Sequence, residues 1–74
     1  MAMIEIFRTD IRHKVSGKQI LTAIKTQLPG VVATLDLEDR DRILRVVGAW
    51  APVQIERVIE LVKQHGFVCE LLND

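Results

Sequence analysis

The side chains in this sequence that carry chemistry are few, and no common spacing joins them. Cys69 is the only thiol, and His13 and His65 are the only imidazoles. Nucleophilic catalysis needs an activating base and an orienting group beside the nucleophile, and nothing near Cys69 in sequence supplies them. Structural zinc takes four ligands, so a metal site on His13 and Cys69 would need donors from elsewhere. Cys69 alternates with Phe67 and Leu71, which predicts a small buried residue. His13 and His65 read as surface polar residues, and His65 suits a helix C-terminus electrostatically. The carboxylates Asp36, Glu38, Asp39 and Asp41 crowd one segment, but Arg40 and Arg42 sit among them. They lack the spacing and glycine of a calcium loop and read as a solvated turn. Ser16, Gly17 and Lys18, with Arg12 and Lys14 nearby, open a helix whose free N–H groups can meet an anion, as most capped helices can. No triad, dyad or phosphate loop indicates an enzyme.

The elements that must position these groups are legible from periodicity. Met3 to Ile11 reads as a strand in which Ile4 and Ile6 share one face and Phe7, Thr9 and Ile11 the other; a bulge, or cover on both faces, would reconcile them. Ser16 and Gln19 form a capping box, with Val15 and Ile20 as its hydrophobic staple. Ile20, Leu21, Ile24 and Leu28 follow at helical spacing, and Pro29-Gly30 ends the helix. Val31 to Leu37 alternates, with Ala33, Leu35 and Leu37 on one face. Glu38 to Arg42 is a polar turn, and Ile43 to Val47 completes a hairpin with Leu44 and Val46 inward. Pro52 suits a first helical position. Ile55, Val58, Ile59 and Val62 make an apolar stripe, Gly66 a left-handed cap, and Phe67 to Leu72 the last strand before a polar Asn73-Asp74 tail.

Strand, helix, strand, strand, helix, strand in 74 residues predicts a single α+β domain spanning residues 1–74. Its two helices cover one face of a four-stranded antiparallel sheet in the ferredoxin-like β-α-β-β-α-β arrangement. An apolar share of 49% suits a packed globule. Ten basic residues balance ten acidic ones without a Lys/Arg run, so nucleic acid and anionic membrane are not expected partners. No segment approaches the ~20 apolar residues of a membrane span. One thiol and no signal-like apolar core make the cytoplasm the expected location.

Leu28-Pro29-Gly30-Val31, then Asp36-Leu37 near the hairpin end, then Gly66-Phe67 after the second helix together resemble the heavy-metal-associated family of copper chaperones and metal-pump amino-terminal domains. The resemblance runs from about Ile4 to Leu72, with a hairpin one residue short of the usual pattern. It implies the same fold, and in the family a Met-x-Cys-x-x-Cys motif holds soft metals. Counted back from Gly30, that methionine falls on Arg12 and the cysteines on Lys14 and Gly17. No metal ligand carries over, and an ammonium at Lys14 would repel a bound cation.

What remains is surface. With Ala33, Leu35, Leu44, Val46, Phe67, Cys69 and Leu71 facing the helices, the outer sheet face holds Val32, Thr34, Asp36, Ile43, Arg45, Val47, Val68, Glu70 and Leu72. Contiguous exposed apolar area marks an interaction site. Val32, Ile43, Val47, Val68 and Leu72 are therefore candidate contacts. Trp50 is expected to pack across the end of the second helix, with partner anchoring as its other possible role. These readings point to a non-enzymatic interaction or regulatory module, without cofactor, that meets a protein partner or a second copy through its sheet face. A metal carrier using non-standard ligands such as His13 and Cys69 is one alternative. An ACT-like small-molecule regulatory domain, alike in topology only, is another. RNA-recognition motifs share the order but stack bases on strand aromatics, and here only Phe7 and Phe67 lie in strands.

Overall fold

The computed structural model describes residues 3–72; the polar tail at Asn73 and Asp74 lies outside them. The elements are β1 (Ile4–Thr9), α1 (Lys14–Gln27), β2 (Val31–Asp36), β3 (Ile43–Gly48), α2 (Ile55–Gln64) and β4 (Cys69–Leu71). The strands form one sheet in the order β2-β3-β1-β4 with every neighbour antiparallel. This is the ferredoxin-like arrangement expected from the sequence.

One core sits between the sheet and the helices. Phe7, Leu44, Val46 and Cys69 come from the sheet; Ile20 and Ile24 from α1; Val58, Leu61 and Val62 from α2; and Ile11 and Leu28 from the loops. Burying each large apolar side chain contributes about 1.5–3 kcal/mol. Leu61, outside the stripe read from the sequence, is part of this core. The phase of β1 resolves without a bulge. Phe7 and Thr9 face the helices, Ile4 and Ile6 face outward, and Ile11 is buried in the loop after the strand.

Four local expectations are corrected. α1 begins at Lys14 with His13 as N-cap and no side-chain cap, so Ser16 lies inside the first turn and the capping box does not form. Val15, 70% exposed, staples nothing. α2 begins at Ile55 with Gln54 as N-cap, so Pro52 belongs to the extended connection before it. β1 and β4 are also shorter than the Met3–Ile11 and Phe67–Leu72 read from the sequence.

The left-handed cap at Gly66 is present, with φ at 90°. The Gly66 N–H donates to the Lys63 carbonyl and the Phe67 N–H to the Val62 carbonyl, the paired bonds of a Schellman motif. Gly30 is also left-handed, at φ 92°, but its surroundings differ. A Cβ there would lie 2.6 Å from Ala51 Cβ and 3.2 Å from the Trp50 ring, whereas one at Gly66 would meet nothing within 4 Å. Gly66→Ala therefore carries only the left-handed backbone penalty of about 1–2 kcal/mol. Gly30→Ala adds an overpacking penalty of about 1–3 kcal/mol. Urea denaturation should rank the two variants in that order, both below the parent.

Candidate functional site

The loop between β1 and α1 is where the family resemblance would place metal chemistry, and its residues serve packing. Thr9, the buried polar side chain at the end of β1, donates from Oγ1 to the Arg42 carbonyl (2.7 Å) and accepts from the Ile11 N–H (3.3 Å). Asp10 Oδ1 accepts from the Val68 N–H at 2.8 Å. These bonds tie the loop to the β2–β3 turn and to the approach of β4. Lys14 is exposed at the start of α1. Gly17 is buried, and a Cβ on it would stand 2.8 Å from Leu35 Cδ2. Glycine there lets the helix close onto β2.

The remaining metal candidates stay apart in kind. His13 is exposed and its side chain makes no cap bond. Cys69 is buried opposite Thr9 in the β1–β4 register. Burial, with a smaller effect from the Glu70 charge, pushes the Cys69 thiol up to about 11. It is a thiol rather than a thiolate at neutral pH, and soft-metal ligation needs the thiolate. His65 Nδ1–H donates to the Leu61 carbonyl at 2.9 Å, which fixes its ring at the end of α2. Among the described residues no three His, Cys, Asp or Glu side chains converge as a metal site. The donor set present does not fit a Cu(I) or Zn(II) centre.

The acidic turn spends its carboxylates on its own backbone. Asp36 Oδ1 accepts from the N–H groups of Glu38 and Asp39, and Asp39 Oδ1 from that of Asp41. The Arg42 guanidinium donates to the carbonyls of Leu37 and Asp39, and Arg42 itself adopts φ 47°.

The outer sheet face is the other candidate. Val32 and Val47 are register partners, and Val47 also pairs with Ile4. On the same face Ile6 follows Ile4, and the Leu72 N–H donates to the Ile6 carbonyl. Ile4 and Val32, 55% and 57% exposed, lead this oblique apolar band. It unites three of the residues singled out from the sequence, Val32, Val47 and Leu72, with two that the unresolved phase of β1 had hidden, Ile4 and Ile6. Ile43, the register partner of Asp36, lies within a charged row beside the band, and Val68 lies beyond that row. In the row Arg8 binds Glu70 at 2.6 Å, with Asp36 and Arg45 on neighbouring strands. Trp50 does not pack across the end of α2. It is 76% exposed, and one side of its ring lies against Gly30. Its backbone N–H donates to the Gly30 carbonyl, which places it at the Ile4–Val32 end of the sheet.

The order of elements, the sheet topology and the helix cover define a ferredoxin-like fold, in a chain whose single cysteine rules out a Cys-x-x-Cys pair. A similar solved structure is the yeast copper transporter domain CCC2A, solved in solution in its apo and Cu(I)-loaded states. The two match over 99% of each chain with a TM-score of 0.79 and 23% sequence identity, a likeness of fold. No protein-family model and no curated protein sequence matches the chain. Among the described residues no helix is long and apolar enough to cross a membrane.

The Cys69 thiol yields a pH signature. Its folded pKa lies above the ordinary value of 9.0, so between about pH 9 and 11 the folded state holds a proton that the unfolded state has lost. The associated stability is complete below pH 9 and disappears as pH rises through 11. Denaturant midpoints across pH 8–11 should fall for the parent and flatten in Cys69→Ala.

Proposed function

We propose that this chain is a non-enzymatic interaction module, working in the cytoplasm as one domain, that keeps the fold of a soft-metal carrier and acts through protein contact instead of metal transfer. The observation carrying this reading is the exchange at the first loop. The positions the family resemblance assigns to thiolates hold an exposed lysine and a buried glycine, while an apolar band lies open on the outer sheet face. A helix N-terminus favours thiolates by lowering their pKa, and Lys14 substitutes a positive charge there. The band of Ile4, Val32 and Val47, with Trp50 at the same end of the sheet, has the apolar and aromatic character of an interface core.

The similarity to a copper transporter domain supports the competing reading of a metal carrier with non-standard ligands, and one assay separates the two. The chain is titrated with Cu(I) and Zn(II) against a chromogenic chelator under reducing conditions, beside Cys69→Ser, His13→Ala and the double variant Lys14→Cys/Gly17→Cys. The expected outcome is no binding beyond the chelator blank for the parent. The double variant should gain stoichiometric Cu(I) binding, since the obstacle at Gly17 is only the end of the Leu35 side chain. Tight parental binding lost in Cys69→Ser or His13→Ala would overturn the proposal. Sedimentation velocity of the parent and Ile4→Glu over a range of concentrations then identifies the occupant of the outer face. A dimer abolished by Ile4→Glu makes it a second copy; a monomer throughout makes it another protein.

A further inference from the structure

The two edges of the sheet are unequal. β4 is three residues long, and the Val68 N–H just before it is bonded to Asp10. β2 is six residues long, without the proline, lysine or bulge that usually blunts an edge. The register shows which of its backbone groups are free. Gly48 N–H donates to Met3 and Ala49 N–H to Gly30, so β3 alternates its bonds between β1 and β2. In that alternation Val32, Thr34 and Asp36 turn their N–H and C=O groups toward β3, and Val31, Ala33 and Leu35 turn theirs to the open side.

A groove of about 360 Å³ runs along this edge between β2 and α1. Leu21, Val31 and Ala33 provide its apolar surface, and Lys18 and Lys25 flank it. No carboxylate lines it. From Ile11 to Leu35 the sequence has four basic residues (Arg12, Lys14, Lys18 and Lys25) and no acidic one. The neutral whole therefore divides into a segment of +4 and a remainder of −4.

We infer that the β2 edge with the α1 groove is a strand-addition site for an extended acidic segment of a partner protein, which joins the sheet beside β2 and sets carboxylates against Lys18 and Lys25. Free N–H and C=O groups alternating along an edge match another peptide backbone, with side-chain pockets supplying specificity. They do not match a row of phosphates. The charges choose among peptides. A second copy pairing β2 with β2 would bring two lysine-bearing α1 helices alongside each other, whereas an acidic strand would be attracted. Lys18 and Lys25 are seven residues apart, about 10.5 Å along the helix. Side chains four apart on a strand are about 13 Å apart and on the same face. The fitting pattern is acidic, any, apolar, any, acidic, with the central apolar side chain against Leu21 and Ala33. This surface is separate from the outer-face band and does not depend on it.

The probe is a synthetic peptide, Thr-Glu-Val-Leu-Val-Glu-Thr with blocked ends, titrated into the isotopically labelled full chain. A version with lysine at both glutamates and one N-methylated on its backbone serve as controls. Saturable shifts should appear at the amides of Val31, Ala33 and Leu35, and these amides should gain hydrogen-exchange protection, which a merely electrostatic encounter would not confer. Lys18→Glu/Lys25→Glu should weaken binding by about tenfold, and Ile4→Glu should leave it unchanged. Both control peptides should fail. Shifts that survive the lysine reversal or fall elsewhere overturn the inference. Absence of any shift at millimolar peptide also overturns it, and leaves the lysines as guards against unwanted strand pairing.

Discussion

A chain of this length can fill one interlayer core, and every other feature follows from where that core is placed. A domain of 60 to 75 residues buries only about 60% of the surface its unfolded chain exposes. Here that burial goes to one side of the sheet, where Phe7, Leu44 and Val46 meet Ile20, Ile24, Val58 and Val62. No third layer exists among the described elements. The opposite face must therefore tolerate water or await a partner, and the two edge strands must be short, guarded or used. The outer face divides between these options, with a charged row through Arg8 and Glu70 and an apolar band through Val32, Val47 and Ile4.

The first loop is held in place without a thiolate in it. A metal centre would hold such a loop with bonds to thiolates. In this chain ordinary hydrogen bonds do so, with Thr9 joined to Arg42 and Ile11, and Asp10 to Val68. Gly17 contributes by absence, letting α1 approach Leu35. Lys14, exposed at the helix start, places a positive charge beside the loop.

The architecture was legible in the sequence because helix and strand periods are written into residues such as Ile20, Ile24 and Val58, and because Gly30 and Gly66 mark left-handed ends. What was not legible depended on competition between equally good local signals. Ser16 and Gln19 satisfy the capping-box pattern, yet the N-cap of α1 is His13, three residues earlier and still extended. Pro52 is a good first helical residue, yet the helix waits until Ile55. The phase of β1 was open because Ile4 and Ile6 are as apolar as Phe7, and only pairing with β3 on one side and β4 on the other decides which set faces the helices. That ambiguity hid two of the five residues in the apolar band. Trp50 misled for a related reason. Its size argues for burial, but the contact available to it is Gly30, which covers one side of the ring.

Net charge concealed the most directional property of the molecule. Zero is the sum of an Ile11–Leu35 segment without carboxylates, bounded by Asp10 and Asp36, and a remainder with an excess of them. Steering and partner choice respond to the distribution of charge and not to its total. The distribution acts differently on the two exposed surfaces. The apolar band on the outer face has Arg45 paired beside Ile6, so its selectivity rests on shape and on the charges along its margin. The β2 edge carries the opposite balance, with an unspecific backbone and strongly specific flanks. A bare edge strand is an invitation to pair with any extended chain, and lysines on the adjoining helix narrow that invitation by repelling the commonest competitor, another copy of the same edge. One set of charges therefore disfavours pairing of this edge with its own copy and favours a strand of opposite sign.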